Sequence, residues 1–140
     1  MNNINLGRVL LGGVLAGLVL NIGEFLLNDL FLAKEIQQFY ARSGLTPPGA
    51  SFLVVAVTLT FVMGIVLVLL YALIRSRLGP GIKTAIIAGL LMWFPVYVYT
   101  GIVNGMALGV PFKFILMAMA WGLVEYLLAA IVGGWVYREA

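Results

Sequence analysis

Four long apolar runs alternate with short polar stretches, and each run is long enough to cross a membrane as a helix. A spanning helix needs about 20 mostly apolar residues, because each residue advances it by about 1.5 Å. The runs are Val9–Asn28, Phe52–Ile74, Thr84–Asn104 and Phe114–Tyr137. Pro and Gly clusters separate them, at Pro47-Pro48-Gly49, Gly79-Pro80-Gly81 and Gly109-Val110-Pro111. The pattern predicts an all-α polytopic membrane protein, with one domain over residues 1–140 built as a bundle of four transmembrane helices, numbered here as spans one to four.

The loop between spans one and two also has helical periodicity. Its apolar positions are Leu32, Ile36, Phe39 and Tyr40, and its polar positions are Lys34, Glu35, Gln37, Gln38 and Arg42. Such a pattern favours a short amphipathic interfacial helix in the first outside loop, or an extension of span one, ended by Ser43-Gly44. A solvated connector with one or two helical turns explains the same residues equally well.

The composition agrees with a lipid environment and excludes several chemistries. The chain is 64% hydrophobic and 9% charged, against about 45–50% and about 25% in soluble domains. It contains no Cys and no His, which excludes disulfides, thiolate or imidazole metal sites, His-ligated haem and Ser-His or Cys-His catalysis. We therefore expect no catalytic residues, no metal and no cofactor.

The basic residues indicate an orientation. The eight Lys and Arg are scattered at helix ends rather than clustered, so we expect no nucleic-acid partner. One side of the bundle would carry Arg8, Arg75, Arg77, Lys83 and Arg138, and the other Lys34, Arg42 and Lys113. Because Lys and Arg concentrate in cytoplasmic loops, both termini are predicted to be cytoplasmic, in a bacterial inner (plasma) membrane. No small-x-small cleavage site follows Leu20, so span one is expected to stay uncleaved.

Glu24 and Glu125 are the only ionisable residues inside the apolar runs. A charged side chain there costs about 2.5–3.5 kcal/mol on insertion scales, so it usually faces the bundle interior or water. Glu24 shares a helical face with Gly13, Gly17, Asn21 and Asn28, and Glu125 shares one with Ala118, Gly122, Ala129 and Gly133. Small residues allow close helix contact, so these faces predict that spans one and four pack together with both carboxyls turned inward.

The two carboxyls are predicted to line one polar pocket in the outer half of the bundle. Their expected depths differ by about 10 Å, so they would share a cavity without touching. Span three adds polar side chains at similar depth. The predicted binding residues are Glu24, Glu125, Asn21, Asn28, Asn104 and Tyr97, and the ligand would be a cation, a proton or a small polar molecule. Equally, the carboxyls could hydrogen-bond to neighbouring Asn or Tyr side chains and only hold the helices together.

These features leave three classes of function open. The first is a small transport or channel-like module, which four helices would more easily form as a homo-oligomer. The second is a non-catalytic structural or accessory subunit of a larger membrane complex, with lipid and partner membrane subunits as its contacts. The third is an intramembrane enzyme that uses two carboxyls, which ranks lowest because no nucleophile, metal set or cofactor motif accompanies them.

The layout resembles that of a family of small, uncharacterised bacterial membrane proteins that carry a domain of unknown function. The similar features are an aromatic and charged stretch after span one, here Asn28–Lys34, and a Gly-Leu turn before span two, here Gly44-Leu45-Thr46. The resemblance covers the whole length as architecture. It implies four spans and no assigned activity.

Overall fold

A computed structural model describes residues 3–139, and every regular element in that range is helical. There are six α-helices, α1 (Leu6–Phe25), α2 (Ala33–Ser43), α3 (Ala50–Leu78), α4 (Ile82–Trp93), α5 (Thr100–Ala107) and α6 (Phe112–Val136). Two six-residue π-helical segments complete the set: Leu26–Phe31 continues α1, and Phe94–Tyr99 joins α4 to α5. The predicted all-α class is confirmed.

Four helices of the described chain are long and apolar enough to cross a membrane, as predicted. They are Leu6–Phe31, Ala50–Leu78, Ile82–Ala107 and Phe112–Val136, and they correspond to spans one to four. Span two runs four residues past its apolar stretch, because Arg75 and Arg77 continue the helix at its C-terminal end. It ends only at Gly79, whose φ of +82° suits a residue without a Cβ.

A separate helix, α2, occupies the loop between spans one and two. It has eleven residues and ends at Gly44, which caps it in the left-handed conformation with φ +70°. Leu32, just before its first residue, is buried, whereas the loop that follows it, residues 44–49, is exposed. We call the end of the bundle that carries α2 the α2 end, and the opposite end, where α1 begins and α6 ends, the terminal end.

Spans one and four are in contact, as predicted, and Gly133 takes part, but span one contributes a different glycine. A Cβ on Gly12 would lie 2.7 Å from the Gly133 carbonyl oxygen, so these two backbones touch. Gly13 and Gly17 instead pack on span two, where a Cβ on Gly64 would lie 2.6 Å from the Gly17 Cα. The prediction that Gly13 and Gly17 face span four is therefore wrong. Span one has two adjacent small-residue stripes, and the second, which contains Gly12, makes that contact.

The two ends of the bundle differ in packing. Towards the terminal end the spans form a close-packed core, which includes the fully buried Ala16, Leu67, Val68, Ala88 and Ala129. Towards the α2 end, residues 50–59 of span two are exposed almost throughout. The α2 end contains open space between the helices, and part of this exposed stretch lines it.

Candidate functional site

The Glu24 carboxyl, on span one, is held by donors from two helices. The Tyr97 hydroxyl, on span three, donates to its Oε1 atom. The Asn28 amide, one turn along span one, donates to its Oε2 atom at 2.9 Å and to the Glu24 carbonyl oxygen at 2.9 Å. Both carboxyl oxygens thus have a donor, and the Tyr97 bond ties span one to span three.

Both π segments lie at this contact. Leu26–Phe31 begins two residues after Glu24, and Tyr97 belongs to Phe94–Tyr99. A π turn closes through i→i+5 bonds, so it shifts the phase of the residues that follow, and such turns are frequent at functional sites. The Thr100 hydroxyl donates to the Pro95 carbonyl at 2.8 Å and to the Val96 carbonyl, so carbonyls of the second segment have a partner.

A cavity of about 1430 Å³ opens beside the Glu24 carboxyl. Its walls come from span one, the exposed half of span two, the π segment and α5 of span three, and the start of span four, and α2 covers it. Five of the six predicted binding residues line it: Asn21, Glu24, Asn28, Tyr97 and Asn104. The Asn21 amide donates to the Gly17 carbonyl at 2.9 Å and to the Val57 carbonyl at 3.4 Å.

The sixth predicted residue, Glu125, does not line this cavity. Its side chain is 5% exposed, and neither carboxyl oxygen has a hydrogen-bond partner among the described residues. It lies against Gly23, where a Cβ would be 2.5 Å from the Glu125 Oε2 atom. It borders instead a smaller crevice of about 240 Å³ between spans one and four. The structure therefore separates the two carboxyls into different spaces.

The two carboxyls are nevertheless closer in depth than residue counting predicts. In a helix every Cα–Cβ bond tilts towards the N-terminus, and spans one and four run in opposite directions. The Glu24 side chain therefore tilts towards the terminal end and Glu125 towards the α2 end, so the carboxyls converge on either side of Gly23. Trp121, one turn from Glu125, donates its indole N–H to the Gly23 carbonyl at 3.1 Å. This bond links spans one and four beside Glu125.

Tyr97 is positioned by small and aromatic neighbours on span four. A Cβ on Gly122 would lie 2.5 Å from the Tyr97 ring carbons, so only a glycine leaves room for the ring. The Tyr126 ring meets it edge-on, with centroids 5.9 Å apart. Gly122, expected to pack on span one, thus packs on span three. Gly133 contacts span one at Gly12 and span two at a valine side chain.

Sequence reasoning missed Gly23, which contacts Glu125, and two glycines that bring the spans together, Gly12 and Gly64. Two of them lie on the second stripe of span one, where the small residues Gly12, Ala16 and Gly23 share a helical face with Leu20. That spacing is the signal that could have identified Gly12 and Gly23. Gly64 is a lone glycine in span two, and no spacing marks it.

The charges on the cavity wall favour cations over anions. Three carboxyls line the cavity, Glu24, Asp29 and Glu35, against one guanidinium, Arg42. Within residues 3–139, no group of three or more His, Cys, Asp or Glu side chains could hold a metal ion. The arrangement can therefore attract positive charge without the ligand set of a metal centre.

Comparison of the chain with protein-family models, with curated proteins and with solved structures found no match. A function therefore has to be inferred from the contacts within the chain itself.

Proposed function

We propose that the protein is an integral inner-membrane protein and a small, non-enzymatic transport or channel-like module that admits a cation from the extracytoplasmic side. The observation that carries this proposal is the cavity of about 1430 Å³ beside the Glu24 carboxyl. A half-buried carboxyl beside a cavity in an apolar bundle is a common arrangement for an ion or substrate pathway. With both termini cytoplasmic, the cavity opens outward beneath α2.

The packed terminal end defines how such a module would work. Its core at Ala16, Val68 and Ala129 closes the bundle between the cavity and the terminal end. A cation bound in the outer half would therefore cross only after the helices of the inner half had moved apart. The glycine contacts between spans one, two and four hold those helices close together at this end. A second copy of the chain could complete the path, because four helices alone are too few to enclose a wide one.

Uptake into proteoliposomes tests the proposal. Purified wild type, reconstituted with an inside-negative potential, should accumulate sodium or tetramethylammonium above protein-free vesicles. Glu24→Gln should abolish that uptake, because it removes the charge while keeping the size of the side chain. Glu139→Gln is the matched control, since Glu139 pairs with Arg75 at 3.4 Å at the terminal end, away from the cavity.

Two results would contradict the proposal. The first is wild-type uptake no greater than in protein-free vesicles for every cation, and the second is unchanged uptake by Glu24→Gln. Size-exclusion chromatography of each variant shows whether a loss of uptake reflects a loss of fold.

The second candidate is a non-catalytic structural or accessory subunit of a larger membrane complex. The close-packed terminal end and the bond from Tyr97 to Glu24 favour it, because both would stabilise a static bundle. Purification in a mild detergent distinguishes the two candidates. A membrane subunit retained in fixed stoichiometry supports the accessory role, whereas a homogeneous homo-oligomer argues against it.

A further inference from the structure

The cavity walls indicate the chemical class of the ligand, because they are aromatic as well as acidic. Six aromatic side chains line the space, Phe25, Phe39, Tyr40, Phe52, Tyr97 and Phe114. They come from both sides of the cavity, since span one, α2, span two, span three and span four each contribute at least one. Aromatic faces attract cations through the ring quadrupole, and they attract apolar bodies through burial.

The carboxyl lies towards the closed end of this aromatic space. Asn21 is the lining residue of span one nearest to the packed core, and Glu24 follows it by one helical turn. An occupant that pairs with Glu24 therefore lies deep between the helices, with its charge beside polar side chains and the rest of it within reach of the aromatic walls. A small hydrated ion would have to give up its hydration shell to reach this position, whereas an organic cation with an apolar body would gain contact area.

The donor set also argues against a bare metal ion. Both Glu24 oxygens already accept a hydrogen bond, from Tyr97 and from Asn28. The described residues provide no cluster of carboxyl ligands at the cavity, and the hard divalent cations prefer about six oxygen ligands. Both of these donors are neutral, so they do not cancel the charge of an ionised carboxylate, which can still attract an organic cation.

From these contacts we infer that the cavity binds a free lipophilic organic cation, with its charge at Glu24 and its apolar body against the aromatic walls. This inference rests on the proposed function and names its substrate class. The space is large enough for such a ligand, since its volume of about 1430 Å³ is above the roughly 300–1,000 Å³ of sites for drug-sized ligands.

Tetraphenylphosphonium and tetraphenylborate are suitable probes, because they have nearly the same size and shape but opposite charge. Equilibrium dialysis of each radiolabelled ion against purified protein in detergent measures the binding that depends on the protein. Wild type should bind tetraphenylphosphonium saturably and tetraphenylborate not at all. Glu24→Gln should weaken the binding of tetraphenylphosphonium about tenfold or more, and Glu139→Gln should leave it unchanged.

A second variant tests the aromatic wall without touching the carboxyl. Phe39→Leu keeps an apolar side chain on α2 but removes its ring, so tetraphenylphosphonium should bind about two- to thirtyfold more weakly. Phe39→Tyr should restore the affinity, because it restores the ring. Equal affinity of Phe39→Leu and wild type would overturn the role of this wall.

The outcomes separate this inference from the proposed function. Equal binding of the two probe ions, or unchanged binding by Glu24→Gln, overturns the lipophilic-cation inference. If the uptake of sodium or tetramethylammonium still depends on Glu24, the proposed function stands although the lipophilic-cation inference has failed. If no cation shows dependence on Glu24, both fail. A phospholipid that native mass spectrometry finds on the chain, and that tetraphenylphosphonium does not displace, overturns the inference because lipid would then be the occupant.

Discussion

Gly64→Ala should separate spans one and two, because the added methyl group has no space. Its Cβ would lie 2.6 Å from the Gly17 Cα and nearer still to the Gly17 nitrogen and the Gly13 carbonyl oxygen. These are backbone atoms of a continuous helix, so they cannot rotate away as a side chain can. The only relief is movement of one span away from the other along this contact.

The size of the effect follows from two opposing terms. Gly→Ala in a helix interior ordinarily stabilises by about 0.5–1 kcal/mol, whereas overpacking a close contact costs about 1–3 kcal/mol. Because backbone meets backbone here, we expect the upper end of the cost and a net loss of about 2 kcal/mol. Gly101→Ala is the matched control: its nearest contact would be the Ile115 Cγ2 atom at 4.0 Å, so it should gain stability.

Reversible unfolding in mixed micelles, titrated with dodecyl sulfate and followed by circular dichroism, measures both variants. The two free energies of unfolding should differ by about 2–3 kcal/mol, with Gly64→Ala the less stable. If Gly64→Ala were as stable as Gly101→Ala, spans one and two could not be as close as the structure has them.

Two further predictions concern the contacts around the carboxyls. Tyr97→Phe removes the hydroxyl that donates to span one and should lower the free energy of unfolding by about 1.5–3 kcal/mol. Tyr99→Phe should be neutral, because Tyr99 is 63% exposed, and equal effects of the two changes would contradict the assigned bond. Gly23→Ala should destabilise by about 1–2 kcal/mol by displacing the Glu125 carboxyl. The same change should be nearly harmless in a Glu125→Ala background, and additive losses in this double-mutant cycle would show that the two residues do not touch.

Hydropathy and breakers were enough to predict the four helices, because apolar length and Gly-Pro clusters are local signals. The ends of the spans were less predictable. Arg75 and Arg77 are polar, yet they continue span two, since a helix does not end where its apolar stretch ends. Span one likewise runs past Asn28 to Phe31 as a π segment, which hydropathy does not distinguish from an α-helix.

Five of the six predicted residues line one cavity, whereas Glu125 does not, and the contacts that each residue makes could not be predicted. The faces that carry Glu24 and Glu125 follow from 3.6-residue periodicity, but that periodicity does not say which neighbouring span each face meets. Span one has two small-residue stripes about 100° apart, and only the packed structure shows that Gly17 meets span two while Gly23 meets Glu125. The contact of Tyr97 with span one depends further on the π segment Phe94–Tyr99. This segment changes the direction in which the following side chains point, and no local pattern in the sequence predicts it.

Modification of a thiol introduced by Asn104→Cys tests the central claim, an acidic cavity open to the outside, most directly. The chain has no Cys, so the introduced thiol is the only one in the protein, which is purified after labelling, and Asn104 lines the cavity. On intact cells, the rates of a membrane-impermeant trimethylammonium thiosulfonate and of its sulfonate counterpart are each divided by the rate of the same reagent with a small free thiol, because the cationic reagent is intrinsically faster with thiolates. The normalised rate of the cationic reagent should be the higher of the two by about tenfold or more, since a negative cleft concentrates cations. Glu24→Gln should reduce that ratio. Equal normalised rates for the two reagents, or no reaction from outside, would contradict the account.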